Sequence, residues 1–231
     1  MGNSRATPIF FILILLPLIF SCCINIEQKI KLRSNGSGSA VIAYSMPGKI
    51  YKNSPTLNKI RNYIPVEERD LENIYSKKPG VKIKGTSVNR TEKTRELKIK
   101  LEFDNIENLS DDKIKYRLEQ GSDSNTLHIT VLNSKIQPND SRKGASAENP
   151  LDESGVTQLL GQAFSRFHIK IIIFFPSRVR SSSSGKFSDN KVEWDLPLTE
   201  FYKEKMDEIT LTVNYDKTIS LWQKMKEKIG L

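Results

Sequence analysis

Apolar side chains in this chain mostly alternate with polar ones and only in places recur at helical spacing. Ile24, Ile26, Ile30 and Leu32 keep a period of two, with Gln28 as the one polar break. After the stretch Ser-Asn-Gly-Ser-Gly-Ser at 34–39, Ala40, Ile42, Tyr44 and Met46 resume the alternation. Successive strand side chains point to opposite faces, so alternation on both sides of an Asn-Gly turn predicts a hairpin with one buried face. Leu97, Ile99, Leu101 and Phe103 alternate with Lys98, Lys100 and Glu102 in the same way. Further strands are predicted over 81–88, 97–103, 127–131, 191–196 and 208–215. Residues 168–175, HIKIIIFF, are the most apolar strand and predict a central one, ended by Pro176. Ser181 to Ser184 with Gly185 read as a turn.

Helical spacing is confined to shorter pieces. Residues 54–63 predict a helix with Ser54 as cap and Pro55 at its first position. Over 65–75, Val66, Leu71, Ile74 and Tyr75 share a face, and Glu67, Glu68 and Asp70 sit at the positive N-terminal end. Pro79-Gly80 ends that segment. Ser110-Asp111-Asp112 reads as the start of a short polar helix running to Gln120. Residues 156–167 predict an amphipathic helix. In a last basic helix, 219–229, Ile219, Trp222, Met225 and Ile229 lie opposite Lys224, Lys226 and Lys228. Residues 134–154 are rich in Asn, Asp, Ser and charge and predict a flexible loop. The expected fold class is α+β: an antiparallel β-sheet with short helices packed on it. The expected organisation is a signal peptide over 1–21, a first part of the domain over 22–133, the loop 134–154, a second part over 155–216, and the basic helix 217–231.

The N-terminus changes the picture from fold to location. Residues 8–24, PIFFILILLPLIFSCCI, hold no charge and follow a lone Arg5. A positive start and an apolar core have the form of an export signal, and the core is short against the ~20 residues of a membrane span. Ile19-Phe20-Ser21-Cys22 resembles the lipobox of bacterial lipoprotein signal peptides at Ile19, Ser21 and Cys22, and departs from it at Phe20. The resemblance implies cleavage before Cys22 and lipidation of its thiol, with Cys23 as the fallback. Two or more acyl chains hold a protein stably on a bilayer where one does not. An uncleaved anchor and a cleaved, freely soluble product remain as alternatives. The localisation expected is export, with lipid anchoring to a bacterial membrane.

Composition removes several function classes. The 231 residues carry a formal net charge of +9 and are 37% hydrophobic. The two cysteines are adjacent, so no loop-closing disulfide and no Cys-based zinc site can form. Gly36 and Gly38 lie between two strands, the wrong context for a phosphate-binding glycine loop. His128 and His168 have no metal-motif partner, Ser181 to Ser184 lack a nucleophile elbow, and Asp111-Asp112 fits helix-start chemistry better than a metal pair. No catalytic residues, metal ligands or cofactors are predicted, and the expectation is a protein that is not an enzyme. Charges interleave, as in Glu92-Lys93, Arg95-Glu96 and Lys203-Glu204-Lys205, the pattern of a solvated mixed surface. Local excess occurs at 177–186, with Arg178, Arg180 and Lys186, and at 217–228; a polybasic face gains ~1 kcal/mol per charge at an anionic bilayer. Nucleic acid is not an expected partner of an exported chain.

Three patches together resemble one family. They are the Asn-Gly-Ser-Gly-Ser turn soon after the cysteines, then Phe174-Phe175-Pro176 with the serine-rich 181–185, then Asn190-Lys191-Val192-Glu193-Trp194-Asp195-Leu196-Pro197-Leu198. Their order resembles the mycobacterial LppM-like lipoprotein domain. The resemblance implies an exported, lipid-anchored α+β domain, with lipid or glycolipid binding and no catalytic motif. Many members continue into a C-terminal membrane segment where this chain has its basic helix. Trp194 reads as a core aromatic. The leading expectation is a non-enzymatic module binding an envelope lipid or glycolipid, with membrane lipids as partners through the acylated N-terminus. A protein-interaction lipoprotein or surface antigen is the alternative, and a hydrolase with an unrecognised site the third reading.

Overall fold

The computed structural model describes residues 24–48, 51, 61, 64–132, 167–197 and 207–217. In chain order the strands are β1 (Asn25–Leu32), β2 (Gly38–Pro47), β3 (Val81–Arg90), β4 (Thr94–Phe103), β5 (Ile114–Gln120), β6 (Ser124–Leu132), β7 (His168–Phe174), β8 (Val179–Ser182), β9 (Lys186–Ser188), β10 (Lys191–Pro197) and β11 (Glu208–Asp216). The helix α1 (Glu68–Tyr75) precedes β3, and a 3-10 turn (Ile106–Leu109) follows β4. Seven strands form one sheet in the order β3-β4-β2-β1-β7-β10-β9, and four form a second in the order β5-β6-β11-β8.

Alternation decided the buried faces. Ile26, Ile30, Ile42, Leu97, Ile99, Leu101, Ile171 and Ile173 of the large sheet pack in one core with Leu127, Ile129, Val131, Leu211 and Val213 of the small one. Each such side chain contributes ~1.5–3 kcal/mol by leaving water. The predicted first hairpin forms as expected. The Asn35 side chain accepts from the Ser37 amide at 3.1 Å and its hydroxyl at 2.7 Å. Gly36 takes φ +84°, a left-handed conformation that glycine adopts without steric cost.

Three expectations need correction. Residues 111–120 are not a helix: Asp111 Oδ1 accepts from the amides of Lys113 (2.8 Å) and Ile114 (2.7 Å), which turns the chain into β5. The same carboxylate chemistry caps helices and closes turns, and Ile114 and Tyr116, alternating with Lys115 and Arg117, carried the strand period. The sheet is also not wholly antiparallel, because β1 and β7 run parallel from Asn25↔His168 to Lys31↔Phe174. A parallel pair needs a long return connection, which hairpin logic does not foresee. Finally, the strands divide between two sheets; in the larger, the apolar β7 is an inner strand as expected, paired between β1 and β10.

The helix expected over 65–75 starts later, at Glu68. Asp70 Oδ2 accepts from the amides of Val66 and Glu67, both at 3.0 Å, while Glu67 reciprocates toward the first turn, so the cap sits at Glu67. The broad α+β class fits a chain this rich in strand, with α1 as its fully described α-helix. The signal peptide 1–21, Cys22 and Cys23, the helices expected over 54–63 and 219–229, and the loop 134–154 lie outside the described residues, as does nearly all of 156–167.

Candidate functional site

A groove of about 360 Å³ opens between α1 and the turn leading into β5. Tyr44 of β2 forms its floor, Asp70, Asn73 and Ile74 of α1 one wall with Ile64 and Pro65, and Asp111, Asp112 and Lys113 the other. Arg61 stands at the rim. The apolar face of α1 turns Leu71 and Tyr75 into the core, and this leaves Asp70, Asn73 and the flank of Ile74 for the groove.

Beneath the groove lie three buried phenols. Tyr75 donates to the Tyr44 oxygen, and Tyr116 donates to Gln28 Oε1. Burial is the main cause that raises the pKa of all three, and the Asp111 charge adds to it. A phenol held protonated donates hydrogen bonds and is no base at neutral pH. The Tyr116–Gln28 bond joins β5 of one sheet to β1 of the other. It explains the polar break in the first strand: Gln28 is 4% exposed, and its carbonyl has a dedicated donor.

The carboxylates divide by duty. Asp70 and Asp111 spend one oxygen each on backbone amides. Asp112 is exposed and pairs with Lys113 at 3.1 Å, and Arg61 pairs with Glu67 at 2.8 Å and Asp70 at 3.3 Å. Behind the wall, Lys78 donates to the Leu109 carbonyl at 2.9 Å and lies 5.2 Å from the Tyr75 ring centre. Burial lowers the Lys78 pKa, and Asp111 and Asp112 oppose that shift. This mixture of forked acceptors, an amide, cations and one aromatic floor suits a ligand rich in hydroxyl groups. Among the described residues no three His, Cys, Asp or Glu side chains group as metal ligands, and no helix is long and apolar enough to cross a membrane.

The residues singled out from sequence fall in separate places. His128 in β6 faces Thr212 (3.3 Å) and Glu119 (3.4 Å), while His168 at the start of β7 meets Asp195 at 3.0 Å. They sit in different sheets and share no site. The second and third patches of the family resemblance do meet. Phe175 donates to the Asn190 carbonyl at 2.7 Å, and the Asn190 side chain returns a bond at 3.2 Å. Trp194 is a buried core residue as expected. Gly185 fits against it, since a Cβ there would stand 2.6 Å from the indole Cδ1. Sequence reasoning missed Gln28 and Tyr116 as a pair, and it misread Arg95. That arginine is not part of a solvated surface but 3% exposed, because the pleat that turns Glu96 outward turns Arg95 inward with Leu97 and Ile99.

Comparison with known proteins adds one likeness. The chain is similar to the folded domain of LppM. That domain, from Mycobacterium tuberculosis and solved by NMR, shares 12% identity with this chain at a TM-score of 0.45, covering 95% of this chain and 98% of its own. A likeness of that degree carries no site and no activity across. No protein-family model matches the chain, and no curated protein matches it.

Proposed function

We propose that the chain is an envelope lipoprotein, anchored through Cys22, whose domain lies on the bilayer and binds the polar part of an envelope lipid or glycolipid without catalysis. The observation that carries this reading is the missing linker. Ile24, two residues after Cys22, is already fully buried, and its carbonyl accepts from the His168 amide at 3.2 Å. Asn25 then pairs with both Ser45 and His168. Acyl chains on Cys22 therefore hold this end of the sheet within a residue or two of the headgroups, since two extended residues span only ~7 Å. The groove beside α1 sets Arg61, Asp70, Asn73, Asp111, Asp112 and Lys113 among apolar Ile64, Pro65 and Ile74, and those charges favour a headgroup or sugar over an acyl tail.

Two linked measurements test the proposal. Metabolic labelling with an alkyne fatty acid marks the wild type and Cys23→Ala, and fails for Cys22→Ala. Labelling that survives in Cys22→Ala and vanishes in Cys23→Ala moves the anchor by one residue; labelling in none of the three overturns it. Native mass spectrometry of the full chain from detergent then shows a stoichiometric polar-lipid adduct, lost in Asp112→Lys. A bare protein mass after incubation with envelope lipids overturns the binding module and turns attention to protein partners.

A further inference from the structure

The strongest unanswered demand in the molecule lies on the other side of the α1 N-terminus from the groove. Arg95 is a charged side chain 3% exposed, and its Nε and Nη1 have no hydrogen-bond partner among the described residues. No carboxylate among the described residues forms an ion pair with it. Its contact is a stacked one: the guanidinium carbon lies 3.7 Å from the centre of the Tyr51 ring. Arg90 approaches the same ring at 5.8 Å.

Strand register makes this more costly. Arg90 and Arg95 are directly paired across β3 and β4, and like charges in that relation repel. Arg69 lines the same recess, about 200 Å³ in volume, together with Tyr51, Val88, Glu67 and Glu68. That is room for several groups of water size at ~30 Å³ each. Glu67 is engaged by Arg61 and by the first turn of α1, and among the described residues neither it nor Glu68, which also lines the recess, forms an ion pair with Arg69, Arg90 or Arg95. A buried charge is kept where it is paired, and the planar guanidinium fork matches the oxygen spacing of phosphate.

We infer that the recess of Arg95, Arg90 and Arg69 beside Tyr51 is a binding site for a phosphate group. The register sets where it opens. Asn25 pairs with Ser45, Ser45 with Glu96, and Met46 with Arg95, so Arg95 stands level with Ile24, at the end of the sheet next to Cys22. It lies two strands from β1, about 10 Å across. A lipid phosphodiester at the bilayer surface is therefore the nearer source, and free phosphate the other. The source rests on the anchored reading given above; the chemistry of the recess does not.

The test is calorimetric titration of the full chain, in nonionic detergent and phosphate-free buffer, with inorganic phosphate and with the soluble diester glycerophosphoglycerol. The wild type binds at least one probe saturably, Arg95→Met weakens that binding tenfold or more, and Arg90→Gln weakens it to a smaller degree. Tighter binding of the diester assigns the lipid source, and tighter binding of inorganic phosphate the free ion. No saturable binding of either probe overturns the inference, as does equal binding by Arg95→Met. Should Arg95→Met fail to fold, Arg90→Gln decides, and unchanged affinity there overturns it. Failure of Cys22 labelling leaves this result intact, so the two proposals fall separately.

Discussion

Two clusters of buried polar groups flank α1, and they are built on opposite terms. In the first, Tyr75 meets Tyr44 and Tyr116 meets Gln28, so each phenol has a partner inside the protein. In the second, Arg95 is as deeply buried as those tyrosines and stacks on Tyr51, yet two of its nitrogens find no partner among the described residues. A satisfied pair holds the two sheets in register, while an unsatisfied guanidinium asks for something from outside. Burial alone does not separate structure from site; the account of hydrogen-bond partners does.

The largest effect that breaks this comparison is alkaline. The folded-state pKa values of Tyr44, Tyr75 and Tyr116 lie above the ordinary 10.0. Their stabilising contribution is complete below pH 10 and is lost as pH rises toward the folded values. With ~1.4 kcal/mol per pH unit per group, three phenols cost about 4 kcal/mol per unit above pH 10. Denaturant unfolding followed by circular dichroism at pH 9 and pH 11 measures the loss. A flat profile breaks the picture of three buried phenols. Next in size is the cross-sheet bond. Tyr116→Phe leaves the Gln28 carbonyl buried without a donor and destabilises by about 1–3 kcal/mol. Tyr116→Phe with Gln28→Leu recovers most of that loss, and the double-mutant cycle reads the coupling. The smallest effect is the most telling. Arg95→Met in phosphate-free buffer changes stability by no more than about 1 kcal/mol, because the lost stacking on Tyr51 offsets the relief of a buried charge. A large loss there, by chemical denaturation, gives Arg95 an internal partner's role and removes the contrast.

The period of two made most of the fold legible. It marked the inward residues of β1, β2, β4 and β6, and it was present in β5 as well, where Ser110-Asp111-Asp112 masked it by resembling a helix cap. The parallel joining of β1 to β7 was not legible, since alternation says which face a residue takes and nothing about which strand lies beside it. The candidate groove was half legible: the face of α1 could be read, but Asp111 to Lys113 reach it only through the tertiary fold. Arg95 was hidden by its neighbours in sequence, because Glu92-Lys93 and Glu96 surround it with the signature of an exposed surface.

The middle position of β1 has a mechanical consequence. The strand is bonded along its length to β2 on one side and β7 on the other. Tension applied at the chain's N-terminus runs along the strand axis, roughly perpendicular to the bonds of its antiparallel ladder with β2 and oblique to those with β7. Both ladders are then loaded together in shear, and no single bond can be peeled open before the next. The domain is gripped by a strand laddered on both sides, so a pull from that end loads β2 and β7 together before β1 comes free.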